Sequence, residues 1–202
     1  MLRRIRVVSH DALWAGLFAA ESSALAAVFG SRAIEIQHVG STSIPGLPAK
    51  PIIDILVVVD DIRQVDLLNP AMIALGYELQ GEYGIAGRRF FTKGGDLERS
   101  HQVHVFQHDH PEVRAMLDFR DYLRAHPGEV IAYGRLKERL ARLHRDDIIA
   151  YNAGKDAFVK EMIRKARAWR QEEARSWEDS RADQPPALTA AVRAGGWSAR
   201  GR

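Results

Sequence analysis

The stretch 34–59, IEIQHVGSTSIPGLPAKPIIDILVVV, constrains this chain more than any other. It reads as a strand, a small-residue polar loop carrying Gly40, Ser41, Thr42 and Ser43, and a second strand of almost unbroken apolar residues. Apolar runs this short and continuous belong to strands buried on both faces, so the fold must be built around a covered sheet. One carboxylate, Asp54, interrupts the second strand. An ionised Asp there loses its hydration, at an effective cost of about several kcal/mol unless something pairs with it. A metal, a cationic side chain or a bound ligand would be that partner. The loop supplies backbone N–H groups and hydroxyls that approach an anion closely, because small residues leave room for it. A small-residue loop followed by a strand-borne carboxylate is a chemical site in outline.

Around this centre the periodicities set the order of elements. A helix is expected over 11–28, with Ser9 as its N-cap, Gly30 as its left-handed stop, and Trp14, Leu17, Phe18, Leu25 and Val28 facing the core. Strands follow over 34–39 and 52–59. Asp60 and Asp61 start a helical segment that breaks at Asn69-Pro70 and ends at Gly76. Three more strands are expected over 77–79, 88–92 and 102–106, separated by glycines. On the last of them Gln102, His104 and Phe106 share one face and Val103 and Val105 the other. Helices are expected over 112–124, 129–143 and 147–174. Residues 1–175 then form one α+β domain, a small mixed sheet flanked by helices with a helical C-terminal portion. Residues 176–202, rich in Pro, Gly, Ala and charge without a sustained period, read as a disordered tail.

Composition narrows the classes of function. With no cysteine the chain has no disulfide framework and no thiolate metal site, which fits a reducing cytoplasm. The apolar stretch after MLRRIRVV is interrupted by His10 and Asp11 and lacks a convincing cleavage site, so no signal peptide is read, and no run is expected to span a bilayer. The net charge of +3 invites a nucleic-acid reading, but Arg164, Lys165, Arg167 and Arg170 near the end of a helix suit a solvated face and the negative end of its dipole. A small-molecule or nucleotide ligand is therefore expected, rather than nucleic acid or a membrane.

Several assignments stay open on the residues alone. Gly40-Ser41 either holds phosphate oxygens, with Thr42 and Ser43 assisting, or forms a tight turn. Asp54 either binds a metal or ligand, or is a buried partner of Lys50, Arg88 or Arg89. Lys50 and Arg89 are candidate phosphate clamps. His38 and His104 beside Asp54 would make a three-ligand site for a cation such as Mg²⁺, Mn²⁺ or Zn²⁺, or would bond within a polar cleft with one acting as acid or base. His101 and His104 are three apart and point to opposite faces of a straight strand, so at most one joins, and His104 is the choice. Tyr151 and Lys155, four apart on a helix, would cover the cleft or simply pack.

The string HVGSTSIPGLPAKPIIDILV resembles the signature of the GrpB family, small bacterial proteins described as nucleotidyltransferase-like. DALWAGLFAAESSAL, SHQVHVF and FRDYLRAHPGEVIAYGRLKERLA extend the resemblance over about 7–167. It implies a nucleotidyltransferase fold of the polymerase-β type, in which a Gly-Ser pair grips nucleotide phosphates and a strand about a dozen residues on carries Asp-x-Asp or Asp-x-Glu for Mg²⁺. Gly40-Ser41 and Asp54 match, with twelve residues between Ser41 and Asp54. The chain departs at Leu56, where the second carboxylate would stand, and at His104, where a later acid would be expected. Two classes of function follow. One is a phosphoryl- or nucleotidyl-transferring enzyme with Asp54 and His104 at the chemistry. The other is a non-catalytic nucleotide- or coenzyme-binding module, related to domains fused to dephospho-CoA kinase.

Overall fold

A computed structural model describes residues 4–182, with side chains to Trp177. Five strands, β1 (Ala33–Val39), β2 (Ile53–Val59), β3 (Tyr77–Leu79), β4 (Arg89–Lys93) and β5 (His101–Gln107), form one mixed sheet in the order β1-β2-β5-β4-β3. β2 and β5 pair in parallel and the other neighbours antiparallel. The strand expected to be buried on both faces, β2, is therefore interior, with β1 and β5 on its flanks. Of its residues only Asp54 is not fully buried.

Alternation along β2 divides the sheet into two chemically different faces. Ile53, Ile55, Val57 and Val59 join Val103, Val105 and Phe91 in a core covered by α1 (Leu13–Phe29) through Trp14, Leu25 and Phe29. Leu56, Val58, Val39 and Phe106 form a smaller apolar patch on the other face, under Val113, Met116 and Leu117 of α3 (Pro111–Ala125). Asp54 lies on this second face, beyond the end of that patch. The helical half, α3 with α4 (Pro127–Leu143) and α5 (Ile148–Ala182), packs on itself and on Ile44 and Leu47 of the loop after β1. Gly134 permits this approach, since a Cβ there would stand 2.9 Å from Pro48 Cδ.

Local detail corrects several expectations. Asp11 caps α1, its Oδ1 accepting from Leu13 N at 2.9 Å, and Ser9 does not. Gly30, at φ +55°, ends the helix as expected. Leu17 is half exposed at 50%, because the Ala-rich helix buries only a narrow stripe. The stretch Leu13–Arg32, with mean hydropathy 1.4, is long and apolar enough to cross a membrane by length and composition alone, contrary to the expectation of no such run. Here it instead lays Trp14, Leu25 and Phe29 on the sheet. The segment before Asn69 is a 3-10 helix, Ile62–Leu68, capped by Asp61 and followed by α2 (Asn69–Ala74) with its early proline. α5 continues to Ala182, past the expected start of the tail, and residues 183–202 lie outside the described residues.

Candidate functional site

The register of β1 on β2 puts Val39 opposite Asp54, and the chain leaves β1 at Gly40. Gly40 has φ +67°, and a Cβ there would come within 2.8 Å of Asp54 Cβ. Glycine is required twice over, by the left-handed backbone and by the close approach of loop to carboxylate. The chain then makes a 3-10 turn, Ser41–Ser43. Ser41 faces the cleft, whereas Thr42 and Ser43 are buried and spend their hydroxyls inside: Thr42 Oγ1 donates to Ile52 O, and Ser43 Oγ donates to Gly40 O at 2.7 Å. Arg124 of α3 fixes the turn from outside, donating from Nε and Nη2 to Ser43 O at 3.0 and 2.7 Å. Of the four loop residues expected at a phosphate, Gly40 and Ser41 adjoin the site, while Thr42 and Ser43 build its support.

β5 brings Gln102 and His104 to the same face as Asp54, in parallel register. His104 Nε2 stands 3.6 Å from Asp54 Oδ1, and its Nδ1 lies 3.4 Å from Arg88 Nη1. A guanidinium has no acceptor, so in this contact Nδ1 accepts, which leaves Nε2 as the ring's donor toward Asp54. Arg88 is itself nearly buried, bonded through Nε and Nη2 to the carbonyls of Glu82 and Tyr83 and stacked over the Phe90 ring. The three groups form a chain in which backbone carbonyls orient Arg88, Arg88 orients His104, and His104 faces the carboxylate.

Lysines close the cleft, Lys50 from the loop before β2 and Lys137 and Lys155 from the helical half. Lys50 and Lys155 both lie over the ring of the buried Tyr151, at 5.5 and 4.7 Å. Lys137 of α4 is only 2% exposed, sits 4.6 Å over the Tyr133 ring, and its Nζ has no hydrogen-bond partner. Burial, then the neighbouring charges of Lys155 and Lys50, draw Lys137 down to about 7, against the opposing pull of Asp54. Burial likewise lowers Lys155. With Ser41, Asp54, Arg88, Arg99 and His104 these lysines line a cavity of about 580 Å³, a size suited to a small ligand.

Two expected site residues lie elsewhere. His38 falls opposite Ile55 and so points to the face away from Asp54, where it stacks on Phe18 at 4.8 Å and bonds Thr42 Oγ1 at 3.0 Å. Burial pushes it down to about 4, so it is neutral at ordinary pH. Arg89 alternates away from Arg88 and grips Asp66 at 2.6 and 2.8 Å. It is a surface ion pair outside the cleft. His101 is also on the far face, beside Glu21. Among the described residues no group of three or more His, Asp or Glu side chains gathers as a metal site. Lys137 had a legible signal that was passed over, since Val130, Tyr133, Gly134, Lys137, Leu140 and Ala141 form the buried stripe of α4 and a lysine inside such a stripe needs a reason.

Residues 4–165 match the family model described as GrpB protein. The chain is 44% identical over 168 residues to the UPF0157 protein YqkA of Bacillus subtilis, covering 83% of this chain and 49% of that one. It thus spans about half the length of that relative. It is 36% identical to the glutamate-rich protein GrpB of Alkalihalophilus pseudofirmus, over 78% of this chain and 92% of the relative. A dephospho-CoA kinase of Mycobacterium leprae is 26% identical over 81% of this chain and 46% of its own length. The crystal structure of the conserved protein GrpB from Enterococcus faecalis superposes with a TM-score of 0.78 at 41% identity, covering 81% of this chain and 99% of that one.

Proposed function

The chain belongs to the GrpB family, and from that premise we propose that its cleft binds the phosphates of a nucleotide or similar small molecule and presents them to Asp54 for transfer. The observation that carries the reading is Lys137 Nζ, buried and unpartnered on the wall of a cavity that also holds Lys50 and Lys155. A lysine so placed is costly in an empty protein and becomes favourable once an anion compensates it. Lys50, Lys137 and Lys155 hold phosphate oxygens, and the Ser41 hydroxyl adds a donor at the turn. Asp54, faced by His104, accepts the proton of an attacking hydroxyl or amine. The ligand is a small molecule rather than nucleic acid, and the setting is the cytoplasm, where such compounds are made.

The nucleotidyltransferase resemblance implies a divalent cation, and the residues fit a resident one poorly. The second carboxylate is replaced by the fully buried Leu56, His38 is on the far face, and His104 Nδ1 is already taken by Arg88. Asp54 is a single hard ligand, so a cation would have to arrive with the substrate's own phosphates. Charge balance falls to the lysines.

Leu56 also favours a second reading, a binding module that holds a nucleotide or coenzyme for a partner enzyme. The likeness to a mycobacterial dephospho-CoA kinase supports it. Thermal shift with pyrophosphate, ATP and coenzyme A tests the shared premise: stabilisation is expected in the wild type and absent in Lys137→Met. With a hydroxyl- or amine-bearing acceptor supplied to take the nucleotidyl group, release of pyrophosphate from ATP by the wild type but not by Asp54→Asn selects the enzyme, and binding without release selects the module.

A further inference from the structure

A second cavity, of about 300 Å³, opens on the other side of Asp54 and His104 from the lysines. Both residues line both cavities, so the two chambers adjoin there. The chambers differ in charge. The larger is lined by five cations, Lys50, Lys137, Lys155, Arg88 and Arg99, against three carboxylates, Asp54, Asp96 and Asp146. The smaller is floored by Val39 and Gly40 and roofed by Ala115, Met116 and Phe119 of α3 and by Val159 and Ile163 of α5, and its charged lining residues are two carboxylates, Asp54 and Glu112. No lysine or arginine lines it.

We propose that this smaller chamber is the subsite for a second substrate, a compact apolar molecule carrying an amine. The inference deepens the functional reading above and rests on it, since it places the amine across Asp54 from the phosphates. Its argument is the chamber's own chemistry. Apolar walls of this volume take a body about the size of one aromatic ring or a short branched chain. A cationic nitrogen on that body meets two acids and no lysine or arginine in the lining, although Arg88 lies close enough to Glu112 to feel its charge, whereas a carboxylate or phosphate there would face Asp54 and Glu112. Gly40 keeps the floor open beside Asp54, because any side chain there would occupy the space between loop and carboxylate. Glu112 stands in the first turn of α3 with its side chain half-buried, placed to hold the amine at the mouth while Asp54 meets it at the wall.

The test uses phenethylamine as probe, with 2-phenylethanol as its uncharged counterpart and pyrophosphate as the probe of the larger chamber. Binding to the intact protein is followed by NMR on methyl groups of Val39, Met116, Val159 and Ile163. Phenethylamine is expected to shift these methyls saturably and 2-phenylethanol to bind about tenfold more weakly. Glu112→Gln should narrow that difference, and Ala115→Phe, which fills the chamber, should abolish binding while leaving pyrophosphate affinity unchanged. Should Ala115→Phe fail to fold, Ile163→Phe fills the chamber from α5. Methyls that do not move, equal affinity for amine and alcohol, or binding that survives a filled chamber would each overturn the subsite. Loss of pyrophosphate binding in the wild type, with amine binding intact, would overturn the phosphate reading and leave the subsite standing.

Discussion

At the scale of the residue, the site is organised by two charges placed where charge is expensive. Lys137 and Asp54 both sit at positions that their elements would otherwise fill with apolar side chains. For Lys137 the sign of the pH effect follows from the direction of its shift. Its folded pKa, about 7, lies below the ordinary lysine value, so between them the unfolded chain binds more protons and stability rises with pH. The ligand-free protein is therefore expected to melt higher at pH 9 than at pH 7. Lys137→Met should flatten that dependence and raise stability at pH 7 by about 1–4 kcal/mol, as removal of a buried uncompensated charge does. Calorimetric melts of both proteins across that range are the check, and a variant less stable than wild type would show that the ammonium is satisfied internally. Asp54→Asn probes the opposite charge. Loss of pyrophosphate release with the fold intact is expected, because amide and carboxylate share shape while only the carboxylate takes a proton. Destabilisation of about 3–5 kcal/mol would instead mark Asp54 as the structural partner of the nearby lysines.

Elements decide which of these residues meet. Strand order along the chain, the helices and the turn glycines were legible in periodicity, and even the facing of Gln102, His104 and Phe106 followed from alternation. What alternation cannot give is the parity between two strands. Gln37 and Val39 share a face with Asp54 while His38 does not, because the loop between β1 and β2 is long and irregular enough that its length does not fix register. The same parity separates Arg88, in the cleft, from Arg89, held by Asp66. Helical position hid Lys137 differently, since it reads as one of several lysines until the buried stripe of α4 is aligned. The loop itself is specified by one glycine. Gly40→Ala is expected to cost about 1–3 kcal/mol from its left-handed backbone alone, and more from the clash with Asp54. Urea melts should show the loss, and pyrophosphate binding should fall with it. His38 supports the same loop through Thr42. Its lowered folded pKa means stability rises with pH from about 4 to the ordinary histidine value. His38→Gln, which keeps a donor for Thr42 but does not titrate, should lessen the acid sensitivity in that window, as read by melting at pH 4.5 and 6.5.

The whole molecule is a sheet whose two faces have been given different work, one sealed by α1 and the other left open at Asp54 between loop and helices. The helical half is what turns that opening into a cleft, and its hold on the sheet depends on where α5 stops making contact. Met162 and Ala166 are its last fully buried residues, Trp169 packs beside Tyr122 and His126, and Arg170 bonds Asp118 and Asp121 of α3 at 3.1 and 3.0 Å. Beyond them the side chains from 171 to 177 are exposed, Trp177 by 60%. The family match ends at residue 165, near the same boundary. A chain ending after Arg175 keeps every one of these contacts, and its melting temperature should stay within about 2 °C of the full chain, since Ser176 and Trp177, the described side chains it removes, are exposed and such positions contribute little. A chain ending after Ala166 loses Trp169 and leaves Asp118, only 3% exposed, with the more distant Arg114, at 3.9 Å, as its remaining guanidinium. Losing a charge-assisted bond to a buried carboxylate costs about 1.5–3 kcal/mol, enough with the lost packing of Trp169 to lower the melting temperature by about 5 °C or more in a domain of this size. Arg170→Met in the full chain separates the two losses, because it removes the charge and keeps the helix and Trp169. If that single change reproduces most of the shorter truncation's effect, the ion pair sets the cleft's outer wall; if it leaves stability unaltered, the packing of Trp169 does.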